Sequence, residues 1–231
     1  MEKTQLLHVL KEIREKSPKR QFSQTVDLIF NLQGLDLKKP DQKVDFYINL
    51  PHNRGKKTRA CALLDVTLAN QAKGLFDQVI SKEEFPKWAG KKKEQKKLAE
   101  SCDYFVAQVD LMSQIAQTFG KVLGPKGKMP NPKAGCVFPT TIPNLQPIKD
   151  KLVNLARLQT KGELSIKVSV GMDTMSDTDI TDNILAIYQT LLTKLPQEEN
   201  NVKNVGVKFT MGPLFKIVTA KTTGQAKGKK Q

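Results

Sequence analysis

The sequence predicts a chain of α/β and α+β character in two domains: a discontinuous α+β domain built from both ends, with an α/β domain inserted in the middle. Three observations carry this expectation. Near the N-terminus, and again beyond Arg157, short runs of alternating apolar residues accompany an amphipathic helix, as in an antiparallel sheet with one face on a core. Between about residues 67 and 157, strand-like runs alternate with helical ones, the pattern of a small parallel unit. The 231 residues suit one or two domains, and a hydrophobic content of 39% is enough to bury real cores.

Taken in order, residues 2–15 carry Leu6, Leu7, Leu10 and Ile13 at helical spacing, and Pro18 ends that helix. Three strand-like runs follow: Thr25 to Leu32, Val44 to Leu50 and Thr58 to Asp65. They are joined by the turn-rich QGLDLKKPDQK and the basic PHNRGKK. In the middle, strands are expected near Gln78 to Ile80 and Asp103 to Val109, and helices over 82–100, 110–119 and 144–157. The last third reads as a strand over Glu163 to Val170, a helix over Asp177 to Leu195, and strands over Asn204 to Thr210 and Leu214 to Val218. Ser176 with Asp179 caps the helix and Pro196 stops it. Thr219 to Gln231 holds four lysines, no acids and no periodicity, and is expected to be a disordered basic tail. The expected domains are therefore 1–66 plus 158–231, and 67–157.

Charge narrows the function. Thirty-eight Lys and Arg against 23 Asp and Glu give a net charge of +15, which draws a polyanionic partner. The excess is spread along the chain: residues 1–66 hold 13 basic and 8 acidic residues, 67–157 hold 15 and 8, and 158–231 hold 10 and 7. Aromatics at 6% argue against a surface that mainly stacks single-stranded bases. No stretch approaches the ~20 apolar residues of a membrane span, and the N-terminus lacks a signal peptide's apolar region. Cys61, Cys102 and Cys136 are widely spaced, with only His8 and His52 beside them, so no zinc site is expected. The three cysteines read as inert thiols in a reducing compartment, and no cofactor is implied. The sequence thus reads as a soluble, basic, intracellular nucleic-acid binder.

Several segments carry chemistry worth testing. Gly120 to Gly135 (GKVLGPKGKMPNPKAG) packs four glycines, three prolines and four lysines into sixteen residues. It reads as a rigid loop, offering Lys126, Lys128 and Lys133 either to an RNA or to nothing beyond the turn itself. It is not a phosphate-binding P-loop: Val122 stands where the first glycine belongs, and Met129 where the magnesium-binding hydroxyl belongs. That counts against a nucleotide-dependent enzyme, the main competing expectation. Lys91, Lys92, Lys93, Lys96 and Lys97 form either a solvated helix face or a phosphate-contact patch. In KFTMGPLFKI, from Lys208 to Ile217, a strand must turn sharply at Thr210, Met211 and Gly212. That segment is an ordinary hairpin, or one whose hydroxyl and glycine meet a ribose 2′-OH. Asp173, Asp177, Asp179 and Asp182 fit a helix N-terminus better than a metal loop. No nucleophile–base or paired-carboxylate constellation emerges.

LGPKGKMPNPKAG followed further on by TMGP resembles the signature pair of the universal L-one family of large-subunit ribosomal proteins, in its archaeal form. FSQTVDLIFNLQGLDLKKPDQKV, LPHNRGKKTRACAL and VSVGMDTMSDTDITDNI support the likeness, which covers nearly the whole chain in order. The resemblance implies a Rossmann-like α/β insertion and no enzymatic activity. It also implies binding to a mobile stalk of large-subunit ribosomal RNA near the tRNA exit site, help in releasing deacylated tRNA, and repression of the protein's own mRNA. Carried over by position, the RNA surface would comprise Phe22, Thr25 and Asp27, then Lys161 and Lys167, then Lys208, Thr210, Met211 and Gly212. The lysine loop of the second domain would contribute less. Two departures stand out: Asp27 where the family usually has Glu, and Phe209 where it tends to have Ser or Thr.

Overall fold

The computed structural model describes residues 1–18, 20–39, 42–140, 144–160 and 162–217. In chain order the elements are α1 (Lys3–Lys16), β1 (Thr25–Leu32), β2 (Asp45–Asn49), β3 (Ala60–Leu64), α2 (Val66–Ala72), β4 (Gln78–Ser81), α3 (Phe85–Trp88), α4 (Lys92–Ser101), β5 (Tyr104–Gln108), α5 (Met112–Leu123), β6 (Val137–Phe138), α6 (Gln146–Asn154), β7 (Leu155–Gln159), β8 (Ser165–Met172), α7 (Asp177–Lys194), β9 (Val202–Phe209) and β10 (Phe215–Ile217). This mixed α and β chain falls into two compact units. The first joins residues 1–56 to 154–231; the second runs from Lys57 to Val153.

The first unit is built on an antiparallel sheet in the order β10–β9–β1–β8. Burial alternates along β1, so Val26, Leu28, Phe30 and Leu32 point inward while Thr25, Asp27, Ile29 and Asn31 point outward. The inward face meets Leu6, Leu10 and Ile13 of α1 and Ile180, Ile184, Ile187 and Leu191 of α7 in one core. Both helices therefore lie on one side of the sheet, and its other side carries none of this core. A small second sheet pairs β2 with β7, from Asp45 opposite Gln159 to Asn49 opposite Leu155.

Two polar networks lock this unit. Arg14 of α1 reaches the start of α7: Nε donates to Asp177 at 2.7 Å, Nη1 to the Asp173 carbonyl and Nη2 to the Met175 carbonyl. Asn183 on α7 is fully buried. It accepts from the His52 amide at 3.0 Å and donates to the carbonyls of His52 and Val170. Such burial is tolerated because every donor and acceptor of the amide is satisfied. Ser176 caps α7 by accepting from the Asp179 amide. The neighbouring acids are engaged by the fold: Asp177 with Arg14, and Asp182 with Lys3. Among the described residues no cluster of three metal-ligating side chains occurs, and no helix is long and apolar enough to cross a membrane.

The second unit is a parallel sheet, β4–β3–β5–β6. Its core joins Leu63, Ile80, Phe85, Leu98, Phe105, Ile115 and Phe119. Three expectations are corrected here. The run Thr58 to Asp65 does not join the first domain. All five residues of β3 are buried, as befits a central strand covered on both faces, and it pairs in parallel with β4 and β5. The boundaries accordingly fall near residues 57 and 153 rather than 66 and 158. The helix expected over 144–157 ends at Asn154, because Leu155, Ala156 and Leu158 bury themselves as β7 against β2. The helix expected over 82–100 is interrupted at Gly90, whose φ of +84° belongs to the left-handed region and separates α3 from α4. The tail from Thr219 to Gln231 lies outside the described residues.

Candidate nucleic-acid interface

The outward face of the first unit's sheet collects residues far apart in sequence. Register places Asp27 between Ser169 of β8 and Lys208 of β9, and Ile29 between Lys167 and Gly206. Asn31 lies between Ser165 and Asn204, with its amide donating to Asn204 Oδ1 at 2.6 Å. Lys216 of β10 stands opposite Gly206, exposed. The result is a polar face bearing Lys167, Lys208 and Lys216, interrupted by one carboxylate. Lys167 is paired only loosely, with Glu163 at 3.3 Å, both side chains well exposed, so a phosphate can replace that partner at little cost.

At the upper edge of this face the β9–β10 turn is fastened to the start of β1. The Thr210 amide donates to the Thr25 carbonyl at 3.0 Å. Thr210 Oγ1 lies 2.7 Å from Thr25 Oγ1, accepts from the Thr25 amide and donates to the Thr25 carbonyl. Thr25 Oγ1 also donates to Asp27 Oδ1 at 3.1 Å. The Met211 amide donates to the buried Gln24 side chain. The turn carries Met211 at its surface, 62% exposed; Phe22, ahead of β1, is 51% exposed. Gly212 sits in a tight space. A Cβ there would come within 3.1 Å of Ser17 Oγ and 3.3 Å of Phe209 Cβ. Half-burial pushes the Asp27 carboxyl above the ordinary carboxylate range, and the Thr25 hydroxyl and the Lys208 charge offset this in part.

Of the residues singled out from the sequence, Thr25, Asp27, Lys167, Lys208, Thr210, Met211 and Gly212 come together on this face and its edge, while Phe22 is exposed in the segment ahead of β1. Lys161 lies outside the described residues. Phe209 does not belong to the surface at all. It is buried opposite Val26, on the core side of the sheet, so no polar contact is forfeited at the face there.

The lysine loop of the second unit is different. Lys128 Nζ donates to the carbonyls of Ala99 and Cys102, at 2.8 and 2.7 Å, satisfying the carbonyl end of α4. Lys126 pairs with Glu100 at 2.9 Å, and Lys133 is exposed, its amide donating to Asn131 Oδ1. Two of the three lysines are thus held by their own fold. Lys91, Lys92, Lys93, Lys96 and Lys97 are all exposed around α4.

Sequence reasoning missed Ser165, Ser169, Asn31, Asn204 and Lys216. The alternation in SIKVSV and VKNVGVKF already put the β8 and β9 residues on one face, but only register brings them beside β1. It also missed a groove of about 500 Å³ at the border of the face, lined by Arg157, Gln159, Glu163, Ser165 and Lys167. There Arg157 is held by Asp45 through two 2.9 Å hydrogen bonds and lies over the Tyr47 ring.

A profile of the Ribosomal protein L1p/L10e family matches residues 10–213. Among similar proteins, the Large ribosomal subunit protein uL1 of Thermococcus kodakarensis is 36% identical, over 94% of this chain and 98% of its own length. That of Methanothermobacter thermautotrophicus is 37% identical over 93% and 99%, and that of Hyperthermus butylicus 37% over 90% and 93%. On this profile match and these near-full-length relatives, the chain belongs to the Ribosomal protein L1p/L10e family, in its archaeal type.

Proposed function

We propose that this chain is a non-enzymatic constituent of the large ribosomal subunit that grips a mobile ribosomal RNA stalk near the tRNA exit site. The outward sheet face and the Thr210–Met211–Gly212 turn form the grip. The observation that supports this best is the hydroxyl pair of Thr25 and Thr210. It holds an exposed turn rigidly at the edge of a face whose lysines can meet phosphates. Lys167, Lys208 and Lys216, with Lys161, supply affinity without sequence information. The turn, with Met211 exposed on it, fits the shallow minor groove of an RNA helix by shape, and the threonine hydroxyls suit a ribose 2′-OH. Asp27 accepts from a 2′-OH. Held on that mobile stalk, the protein helps deacylated tRNA leave the exit site. The same RNA surface, presented with an imitation of the ribosomal site in the chain's own mRNA, represses translation. The protein acts ribosome-bound in the cytoplasm.

The test is binding to a stalk-type ribosomal RNA fragment and to an equally structured control RNA, across a salt series. A preference for the stalk that survives raised salt supports the proposal. Equal binding to both, erased by salt, would reduce the face to a general cation surface and overturn it.

A further inference from the structure

The second unit carries a cleft that the RNA-binding role does not use. Its sheet runs β4–β3–β5–β6, and every pairing in it is parallel. From β3 the chain steps outward to β4, then crosses back to lay β5 on the far side of β3. The strand order therefore reverses at the carboxyl ends of β3 and β5, the place where open parallel sheets bind ligands. The segments leaving the carboxyl ends wall a cleft of about 660 Å³: Asp65 and Val66 after β3, residues 82–86 after β4, and α5 after β5. That volume falls in the ~300–1,000 Å³ range of small-molecule sites.

The polar groups of this cleft are not spent on the fold. Asp65 is half-buried, and its carboxylate makes no hydrogen bond or ion pair among the described residues. The same holds for the side chains of Lys82, Glu83, Gln114 and Gln117, in contrast to Lys128, which the end of α4 occupies. Gln114 and Gln117 stand three residues apart on α5, both exposed, so their amides share one face. Beside Asp65 lies Gln108, 1% exposed at the end of β5. Its Oε1 accepts from the Asp65 amide at 2.5 Å, while its Nε2 is buried without a partner among the described residues. A buried donor left unpaired costs stability and marks a position where a further acceptor belongs. Val66, Phe85 and Pro86 add apolar surface, Val66 being 39% exposed.

We propose that this cleft binds a nucleoside through its base and its unphosphorylated ribose. The Asp65 carboxylate accepts from both hydroxyls of the 2′,3′-diol, and Gln108 Nε2 is the donor left for a ribose oxygen. The Gln114 and Gln117 amides both donate and accept, as the hydrogen-bonding edge of a base requires. The apolar surface takes the face of the base. Phosphate is disfavoured on two counts. Asp65 and Glu83 set two carboxylates against the single Lys82. The turn from β3 into α2, within LLDVTL, has no glycine to let backbone amides close on an anion. A free diol has two sources, a free nucleoside and the 3′ end of an RNA.

The experiment follows backbone amide resonances of the isotope-labelled full chain by NMR while adenosine, guanosine, cytidine or uridine is added. At least one of them should shift the amides of Asp65, Val66, Gln114, Gln117 and Thr118 saturably. Its 2′-deoxy counterpart should bind at least about tenfold more weakly, and its 5′-triphosphate no better than the nucleoside. Asp65→Ala should weaken binding by a similar factor of about ten. A short single-stranded RNA with a free 3′-hydroxyl end that shifts the same amides, where its 3′-phosphate form does not, assigns the site to RNA ends. Shifts from nucleosides alone assign it to the free compound. No shift of these amides by any nucleoside at about 10 mM would overturn the proposal. So would equal binding of the 2′-deoxy compound, a triphosphate that binds more tightly, or affinity unchanged in Asp65→Ala. The 2′-deoxy comparison uses the unaltered chain and decides even where the alanine variant fails to fold.

Discussion

Replacing Thr210 with Val keeps the side chain's shape and deletes one oxygen, which makes the hairpin's role measurable. That oxygen takes part in three contacts, all with Thr25: the hydroxyl at 2.7 Å, and the amide and carbonyl at 3.2 Å. The backbone bonds that define the turn, Thr210 amide to Thr25 carbonyl and Gly212 amide to Phe209 carbonyl, stay in place. Since Thr210 is exposed, water replaces much of what is lost. The folding cost should then be about 1 kcal/mol, a fall in Tm of about 2–4 °C for a chain of this size. Under the proposed function the RNA loses more, a hydroxyl partner and the rigidity of the turn, together worth about 1.5–3 kcal/mol. Kd for stalk RNA should rise roughly 10- to 100-fold. The slope of log Kd against log salt should not change, because no charge is removed. Fluorescence anisotropy with labelled stalk RNA at several salt concentrations reads both quantities. A variant that loses the expected stability yet binds within about twofold of the parent would refute the turn as a contact.

Three further outcomes are expected. Lys167→Ala and Lys208→Ala should each reduce the salt slope by about one while weakening stalk and control RNA alike, read from the same titrations. Asn183→Leu strands the amide and carbonyl of His52 and the carbonyl of Val170; it should cost about 3 kcal/mol or more, read as a lowered urea midpoint by circular dichroism. Asp27 carries a raised folded-state pKa, so its protonated form is favoured by folding, and that contribution is lost as pH rises through the folded value. Asp27→Asn should therefore melt above the parent at neutral pH, with the advantage vanishing towards about pH 3, below the ordinary carboxylate range.

What the sequence disclosed follows from the range of each interaction. α1, β1 and α7 are legible because their apolar period and their boundary residues, the cap Ser176 and the stops Pro18 and Pro196, are local. β3 is not legible as part of the second unit because ACALL carries no alternation. Its unbroken burial marks a parallel central strand only once its neighbours are known. β7 was hidden as the end of a helix, since what makes LARLQ extended is β2, more than a hundred residues earlier, where Arg157 meets Asp45. The candidate interface divides the same way. Its individual residues came from a family likeness, but the bond between Thr25 and Thr210 joins positions 185 apart. The occupation of Lys128 by the end of α4 likewise depends on packing that no local pattern encodes.

The strand order β10–β9–β1–β8 also sets a timetable. β1 emerges first during synthesis, yet all of its partners come from beyond residue 164. The contiguous stretch from Lys57 to Val153 can complete its own sheet while β1 still waits unpaired. At ~5–20 residues per second this delay lasts on the order of ten seconds, with Val26, Leu28 and Phe30 uncovered. A chain broken off before β9 therefore lacks both the neighbour that presents Lys208 and the turn that Thr25 holds. Only a finished molecule owns the lysine-bearing face, so an incomplete copy cannot compete for whatever that face binds.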